Sequence, residues 1–461
     1  MVTQGQAADT AVILTATQQR VDAVAARHGL RVQKRLATGA VLEVPAGALA
    51  AVAADPDVDQ LSSNHAVRSQ MAVTNQAIGA DQVQAGGWAD GIPGLSGAGV
   101  SIAVIDSGVA SVPELAGRIV ANVDFTSRSG RARDEYGHGT HVAGIIAASA
   151  RGRNDATGVA PGAQIINLKV LDAQGKGFVA DVVEAIDWAI ANRRRFNIRV
   201  INLSLGGPVL QSWRDDPLCQ AVERAYRAGI VVVAAAGNRG KLANGQQVFG
   251  GITAPGNSPF AITVGAVNTK GTAYRSDDVL ATFSSKGPTR FDWLVKPDMV
   301  APGNRVVGLL APQSTLAKEH PELVIGSGPG ARLELSGTSM AAAVVSGAAA
   351  LVLDLRPGAS PLSVKARLQY GAQALSQGGL VATGSGSLNI MGALLAPTAS
   401  TVNIAGQSIA AGGLLVGSKA GWIASTATDT VVWGDTVVWG DTVVWGDTVV
   451  WGDTVVWGDT V

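Results

Sequence analysis

Three short segments carry residue types able to do nucleophilic chemistry. Ala103-Val104-Ile105-Asp106-Ser107-Gly108 places a carboxylic acid at the end of an apolar run. Gly137-His138-Gly139-Thr140-His141-Val142-Ala143-Gly144 supplies two imidazoles at i and i+3. Gly337-Thr338-Ser339-Met340-Ala341 opens an Ala-rich stretch that reaches Leu355. Ser339 there reads as a residue at a helix N-terminus, where free N–H groups and the macrodipole favour a developing negative charge. Each segment alone has a plainer reading. Asp106 reads as a turn cap, Ser339 as a helix N-cap, and His141, leading into an apolar stretch, as a buried hydrogen-bonded histidine. The His pair also has a spacing open to a metal, but the Glu of a His-Glu-x-x-His zinc site is missing. Acid, imidazole and alcohol occur in the order Asp106, His138, Ser339, with gaps of 32 and 201 residues. A hydroxyl is a weak nucleophile until a base takes its proton. An imidazole is such a base, and a carboxylate fixes its tautomer and stabilises the imidazolium.

Groups so far apart along the chain can meet only at the rim of a larger fold. From about 95 to 395 the pattern alternates apolar strand, turn and helix. Strand runs fall at 101–106, 164–170, 199–204, 230–236 and 261–267, apolar throughout rather than alternating, as for strands buried on both faces. Helical stretches such as 180–193 lie between them. The expected fold class is α/β, a doubly wound, mostly parallel sheet, whose sites lie at the carboxyl ends of its strands. Residues before about 70 read as a small α+β module, with strands near 11–14 and 41–44 and helices near 21–28 and 46–54. The third zone is a β-rich repetitive tail. Asp-Thr-Val-Val-Trp-Gly occurs in five full copies from Asp429 to Gly458, followed by Asp459-Thr460-Val461. It reads either as Thr-Val-Val-Trp strands joined by Gly-Asp turns or as one period-two ribbon. Ending inside a repeat suggests a longer native chain. Unpaired Trp-Val edges suggest self-association or surface attachment.

Lys plus Arg and Asp plus Glu both total 35, so the formal net charge is zero. That gives no bulk electrostatic reason to bind nucleic acid or an anionic membrane. Cys219 is the only cysteine, which excludes an internal disulfide and a cysteine metal cluster, and its surroundings read as a buried helix face. No apolar run reaches the ~18 residues of a membrane span; the longest, 341–355, contains Ser346 and Asp354. The first residues lack a basic region followed by an apolar one, so either export does not use that route or the start of the gene product is missing.

With these residues in view, residues 73 to 393 resemble the subtilisin-like serine proteases. The likeness rests on the three segments and on several others. Val231 to Asn238 looks like the strand and loop carrying that family's oxyanion-hole asparagine. Val200-Ile201-Asn202-Leu203-Ser204-Leu205-Gly206-Gly207 looks like the strand that pairs with substrate backbone, and Lys296 to Gly303 is a further family run. The resemblance implies a serine endopeptidase with Ser339 as nucleophile, His138 as general base then acid, Asp106 orienting His138, and Asn238 with the Ser339 N–H holding the oxyanion. It implies a cleft with Ser204, Leu205 and Gly206 on one wall and Gly175, Lys176 and Gly177 as the facing strand. Small residues from Ala234 through Ala236 and Gly237 would line the primary pocket, with room for a large apolar side chain.

No cofactor is expected for the chemistry. The loop 151–157 departs from the loop that holds calcium in many relatives, so a structural calcium ion has only Glu114, Asn154 and Asp155 as candidate ligands. After Gly-Thr-Ser-Met-Ala, Ala342-Ala343 stands where the family has a proline, a change a helix start tolerates. Residues 1–72 resemble the family's propeptide, a small inhibitor and folding guide, through Ala53-Ala54-Asp55-Pro56-Asp57-Val58-Asp59-Gln60, with cleavage expected between Val67 and Ala77. The expected organisation is 1–72 prodomain, 73–396 catalytic domain, 397–428 linker and 429–461 repeats. Expected partners are protein or peptide substrates and the chain's own propeptide, with no nucleic acid and no membrane span. The expected location is extracellular or at the cell surface. The rival reading is a degenerate surface or adhesive protein whose repeat tail is the functional part.

Overall fold

The computed structural model describes residues 9–396, apart from 37–38, 64–69, 88, 90–91, 128–131, 150–156 and 376, and beyond these the backbone of nine short strands. The chain divides into two compact units, residues 1–68 and 69–461.

In the first unit, β1 (Thr10–Thr15), β2 (Arg31–Leu36), β3 (Gly39–Val44) and β4 (Gln60–Ser63) form an antiparallel sheet in the order β2-β3-β1-β4. Helices α1 (Gln18–His28) and α2 (Leu49–Ala53) cover a core that includes Leu14, Val21, Val24, Leu42 and Val52. β2 escapes sequence reading because it is a polar edge strand. The Asp55 segment has a structural task. The Asp55 carboxylate accepts from the Asp57 N–H at 2.9 Å, from Arg27 at 2.5 and 2.6 Å, and meets His28 Nε2 at 2.7 Å. The Asp57 amide first, then Arg27 and His28, hold this carboxyl down at about 2.

The second unit begins with α3 (Gln70–Ile78) and α4 (Ala80–Ala85). Its large sheet comprises β5 (Ser101–Asp106), β6 (Ile119–Asp124), β7 (Gln164–Lys169), β8 (Ile198–Leu203), β9 (Val231–Ala235), β10 (Ala261–Asn268), β11 (Val279–Leu280) and β12 (Met299–Pro302). The order is β11-β10-β9-β8-β5-β7-β6, with β12 beside β10. Every pair is parallel except β10–β11. Successive residues of one strand enter opposite cores. Ile102, Val104, Val200 and Val233 pack with α5 (His138–Ala147) and a long helix near the C-terminus. Ala103, Ile105, Ile201 and Val232 pack with α6 (Val179–Phe196) and α7 (Pro217–Arg227). This two-sided burial is why the strands are apolar throughout. Winding reverses at β5, which lies between β7 and β8, so a crevice opens at the carboxyl end of β5, where Asp106 sits.

A small antiparallel sheet, β13 (Val306–Leu309), β14 (Val324–Ile325) and β15 (Arg332–Leu335), follows, with α8 (Thr315–Glu319) inserted. Helix α9 (Thr338–Leu355) then runs through the core. Among the described residues it alone is long and apolar enough to cross a bilayer, and it is buried inside the protein. Its polar residues are satisfied there. Ser346 donates to Asn202 Oδ1 at 2.9 Å, and Asp354 accepts from the N–H groups of Ser96, Gly97 and Ala98. Helices α10 (Pro361–Gly371), α11 (Leu380–Thr383) and α12 (Ile390–Leu395) finish this region.

The tail corrects both sequence readings. Residues 397–428 carry two hairpins, β16 (Thr401–Ile404) with β17 (Gln407–Ala410), and β18 (Leu414–Ser418) with β19 (Gly421–Ser425). In the repeats, β20 (Val431–Val432), β22 (Val443–Val444) and β24 (Val455–Val456) pair in parallel. So do β21 (Val438–Trp439) and β23 (Val450–Trp451). Partners lie two copies apart. Among the described residues no neighbouring copies pair as hairpins or as one ribbon. Alternate copies stack in separate sheets, because identical segments pair in register when the chain returns after two copies.

Candidate active site

Asp106 ends β5 with its side chain fully buried. Its oxygens lie 2.8 and 3.0 Å from His138 Nδ1, and Oδ1 also accepts the Ser107 N–H at 2.7 Å. His138 is the first residue of α5, and its side chain is 16% exposed, so one ring edge reaches the surface. Burial works against the imidazolium, but the charge and hydrogen bond of Asp106, and then the charge of Asp134, outweigh it. The His138 pKa is therefore raised. The flanking glycines serve another chain segment. Gly137 has φ 106°, and a Cβ on Gly139 would lie 2.1 Å from the Gly108 carbonyl oxygen. The first turn of α5 thus packs directly on the turn after Asp106.

His141 is fully buried. Its Nε2 contacts the carbonyl oxygens of Val306 and Leu333 at 3.1 and 3.0 Å, tying α5 to the small sheet. Burial lowers its pKa to about 4, so it is a neutral core histidine. Among the described residues no group of three His, Cys, Asp or Glu side chains gathers to hold a metal. The Cys219 thiol is buried, donates to Asn257 Oδ1 at 3.2 Å, and has its pKa pushed up by burial.

Ser339 is the second residue of α9. Its hydroxyl donates to the Ser204 carbonyl at 2.9 Å, and the Ser204 hydroxyl donates back to the Ser339 carbonyl at 2.8 Å. Among the described residues no hydrogen bond joins Ser339 Oγ to His138. The start of α9 is also fixed to the loop after β9. Asn238 Oδ1 accepts from Thr338 N at 2.9 Å and Thr338 Oγ1 at 3.1 Å, while the Gly237 N–H donates to Thr338 Oγ1 at 3.0 Å. This leaves Asn238 Nδ2 as the free end of its side chain. A Cβ added to Gly337 would lie 3.3 Å from that nitrogen, 3.5 Å from Met340 Sδ and 3.8 Å from the Ser339 amide nitrogen, so both donors border the space beside Gly337.

Ser204, Leu205 and Gly206 continue β8 toward Gly207, which bridges to Ala254. Gly175, Lys176 and Gly177 do not form the expected strand. Gly175 and Lys176 lie within a turn closed by Asp172, whose carboxylate accepts the N–H groups of Gln174 and Lys176, while the Asp172 N–H donates to the Lys176 carbonyl; Gly177 follows it. Ala236 is buried and Gly237 half-buried. Sequence reading missed Thr253. A Cβ on Gly206 would lie 2.5 Å from Thr253 Oγ1, and one on Gly237 2.7 Å from Thr253 Cγ2, so this threonine fills the space between the two glycines. No local motif marks it. Of the calcium candidates, Asn154 and Asp155 lie outside the described residues. Glu114 accepts a 2.8 Å bond from Arg332 Nη2, both side chains being largely buried, so a guanidinium already neutralises it and it does not fit a cation ligand.

The Subtilase family matches residues 97–392. The chain is 40% identical over 287 residues to serine protease AprX of Bacillus subtilis (strain 168), a match spanning 60% of this chain and 62% of AprX. It is 36% identical over 314 residues to subtilisin DY of Bacillus licheniformis, spanning 68% of this chain and 94% of that one. Among solved structures, one titled "S41 Psychrophilic Protease" superposes with a TM-score of 0.54 at 30% identity, covering 68% of this chain and 97% of that protein. With a buried acid on the imidazole and a serine opening the core helix, the match over most of the α/β unit means that the chain belongs to the Subtilase family of serine-type endopeptidases.

Proposed function

We propose that this chain cleaves peptide bonds through an acyl-enzyme on Ser339, with His138 as base, Asp106 as its orienting carboxylate and Asn238 in the oxyanion site. The observation that carries this reading is the Asp106–His138 hydrogen bond at the switch point of the sheet. Asp106 accepts the hydrogen bond from Nδ1–H, which leaves Nε2 as the basic nitrogen. Rotation about the Ser339 Cα–Cβ bond releases its hydroxyl from the Ser204 carbonyl, and catalytic hydrogen bonds often form only once substrate is bound. Oγ then attacks the scissile carbonyl carbon as Nε2 takes its proton. The C–N bond breaks as His138 returns that proton to the leaving amine, and water hydrolyses the ester by the same route. Negative charge on the carbonyl oxygen falls between Asn238 Nδ2 and the Ser339 N–H, at a helix N-terminus that also favours an anion.

An extended substrate pairs with the Ser204–Gly206 backbone by strand addition, and Thr253 limits the depth of the primary pocket between Gly206 and Gly237. Residues 1–72 act as the inhibitory propeptide, released by cleavage between Val67 and Ala77, and the enzyme works outside the cell or at its surface. The repeat tail pairs with tails of other copies. Glu114 gives no support for a structural calcium ion. Digesting a peptide library with the full chain and with Ser339→Ala tests the mechanism. Cleavage and fluorophosphonate labelling by the native chain alone are expected. Labelling-inert native protein would instead favour the adhesive reading.

A further inference from the structure

A second buried carboxylate lies beside the Asp106–His138 pair. Asp134 is 6% exposed, and its oxygens collect four hydrogen bonds. Oδ1 accepts from the Gly137 N–H at 2.7 Å and the Ser107 hydroxyl at 2.8 Å. Oδ2 accepts from the Thr140 N–H at 2.8 Å and the Thr140 hydroxyl at 2.6 Å. Gly137 is the residue that caps α5 and has no side chain to bond its first amides. Asp134 does so from three residues upstream, satisfying donors that a helix start otherwise leaves open. Ser107 carries the connection to the strand. Its hydroxyl accepts the Gly139 N–H at 3.0 Å, and its own N–H donates to Asp106 Oδ1. Thr140 Oγ1 likewise accepts the Ala110 N–H at 2.8 Å. With those amides on their other sides, both hydroxyl protons point at Asp134. Burial pushes the Asp134 pKa up, yet a ring of donors fits an acceptor-only carboxylate, so the network requires the ionised form.

We infer that Asp134 is a positioning residue for the general base, locking the first turn of α5 to the turn after Asp106 and keeping a second negative charge beside His138. The inference rests on the reading of His138 as that base. Without Asp134, the glycine-flanked start of α5 loses its cap on one side and its link through Ser107 on the other. The imidazole then depends on the Asp106 bond alone. The charged groups acting on His138 are Asp106 from β5 and Asp134 from the preceding loop; His141 on its own helix is neutral, its pKa lowered by burial and then by His138. Glu319 of α8 acts on Tyr136 instead.

The test is a pH profile of kcat and KM on a chromogenic peptide, using the full chain, Asp134→Asn, Ser107→Ala and Ser339→Ala. Asn places an N–H2 group against donors and removes the charge. A drop in kcat of about 10–100-fold is expected for Asp134→Asn, the scale of a misplaced catalytic group, with KM within about twofold. The acid limb should also move to lower pH, because the imidazolium loses a neighbouring anion. A merely structural role would not move that limb. Ser107→Ala breaks the link but keeps the charge, so kcat should fall with the limb in place; this variant decides the matter if Asp134→Asn does not fold. Native kcat in either soluble variant, or an unmoved limb in Asp134→Asn, overturns the inference. If Ser339→Ala remains active, the triad reading fails, and this inference with it. If Ser339→Ala is dead while Asp134→Asn is native-like, only this inference fails.

Discussion

At the residue scale, the proposed mechanism makes the pair Asp106–His138 set the pH dependence. Its 2.8 Å hydrogen bond and the Asp106 charge outweigh burial and raise the imidazole pKa. His138 works as a base only when neutral, so activity is lost as pH falls through the raised pKa. The acid limb of kcat/KM should lie above the ordinary imidazole value of about 6.5, and a limb below that value on a non-titrating substrate would contradict the geometry. Asn238 spends its carbonyl on Thr338 and keeps its N–H2 free. Asn238→Ala should lower kcat by roughly 10²–10³, the size known for an oxyanion-hole amide in a subtilisin, with little change in KM. The segments around Asp106, His138, Ser339 and Asn238 stand out in the sequence because each residue sits in a run of distinctive neighbours. Thr253 was not legible, since its place between Gly206 and Gly237 is a contact through space.

At the element scale, buried charges tie the strands and helices that frame the site. The run Lys296-Pro297-Asp298, which leads into β12, has a physical purpose. Asp298 meets Lys296 Nζ at 2.6 Å and Lys365 Nζ of α10 at 2.8 Å, and accepts the Thr263 N–H of β10 at 2.7 Å. All three side chains are buried, and burial opposes ionisation of Asp298, but the two ammonium groups hold its pKa down. Asp298→Asn leaves two buried ammonium groups without their anion and should cost about 3–5 kcal/mol, whereas Lys296→Met keeps the Asp298–Lys365 pair and should be near neutral. Denaturant midpoints of the two variants would separate these outcomes, and equal losses would sink the argument. The same reasoning applies to Arg332 on β15, which neutralises Glu114. The five main strands were legible to within about a residue because burial on both faces demands unbroken apolar runs. The turn holding Gly175 to Gly177 was misread as a strand, because a short Gly-Lys-Gly stretch looks extended until Asp172 is seen closing it.

At the scale of the whole molecule, residues 1–68 have their own sheet and core, separate from the α/β unit. A unit with its own core folds as a piece, and an inhibitory role predicts that purified chain gains activity as mass spectrometry records its loss. Full activity with the unit still attached would argue for an ordinary N-terminal domain. The tail pairs copies twelve residues apart in parallel, so the outermost described strands, β24 in one sheet and β21 and β23 in the other, offer edges that an identical segment of another chain can extend. Deleting residues 429–461 should reduce oligomer size in sedimentation at fixed protein concentration. An unchanged distribution would dismiss tail-driven association.

Sequence alone determined the family likeness, the α/β class and where the main strands fall along the chain, because these follow from residue types and short-range periodicity. The tertiary structure decided the rest. It hung Ser339 on the Ser204 carbonyl, set Asp134 against both ends of the Asp106–His138 pair, gave Glu114 to Arg332 and stacked alternate repeats. Most of these contacts join residues far apart in the chain, and even the nearby ones depend on the exact path of a turn. Nothing in local composition or periodicity encodes them; packing at the crevice brings them together.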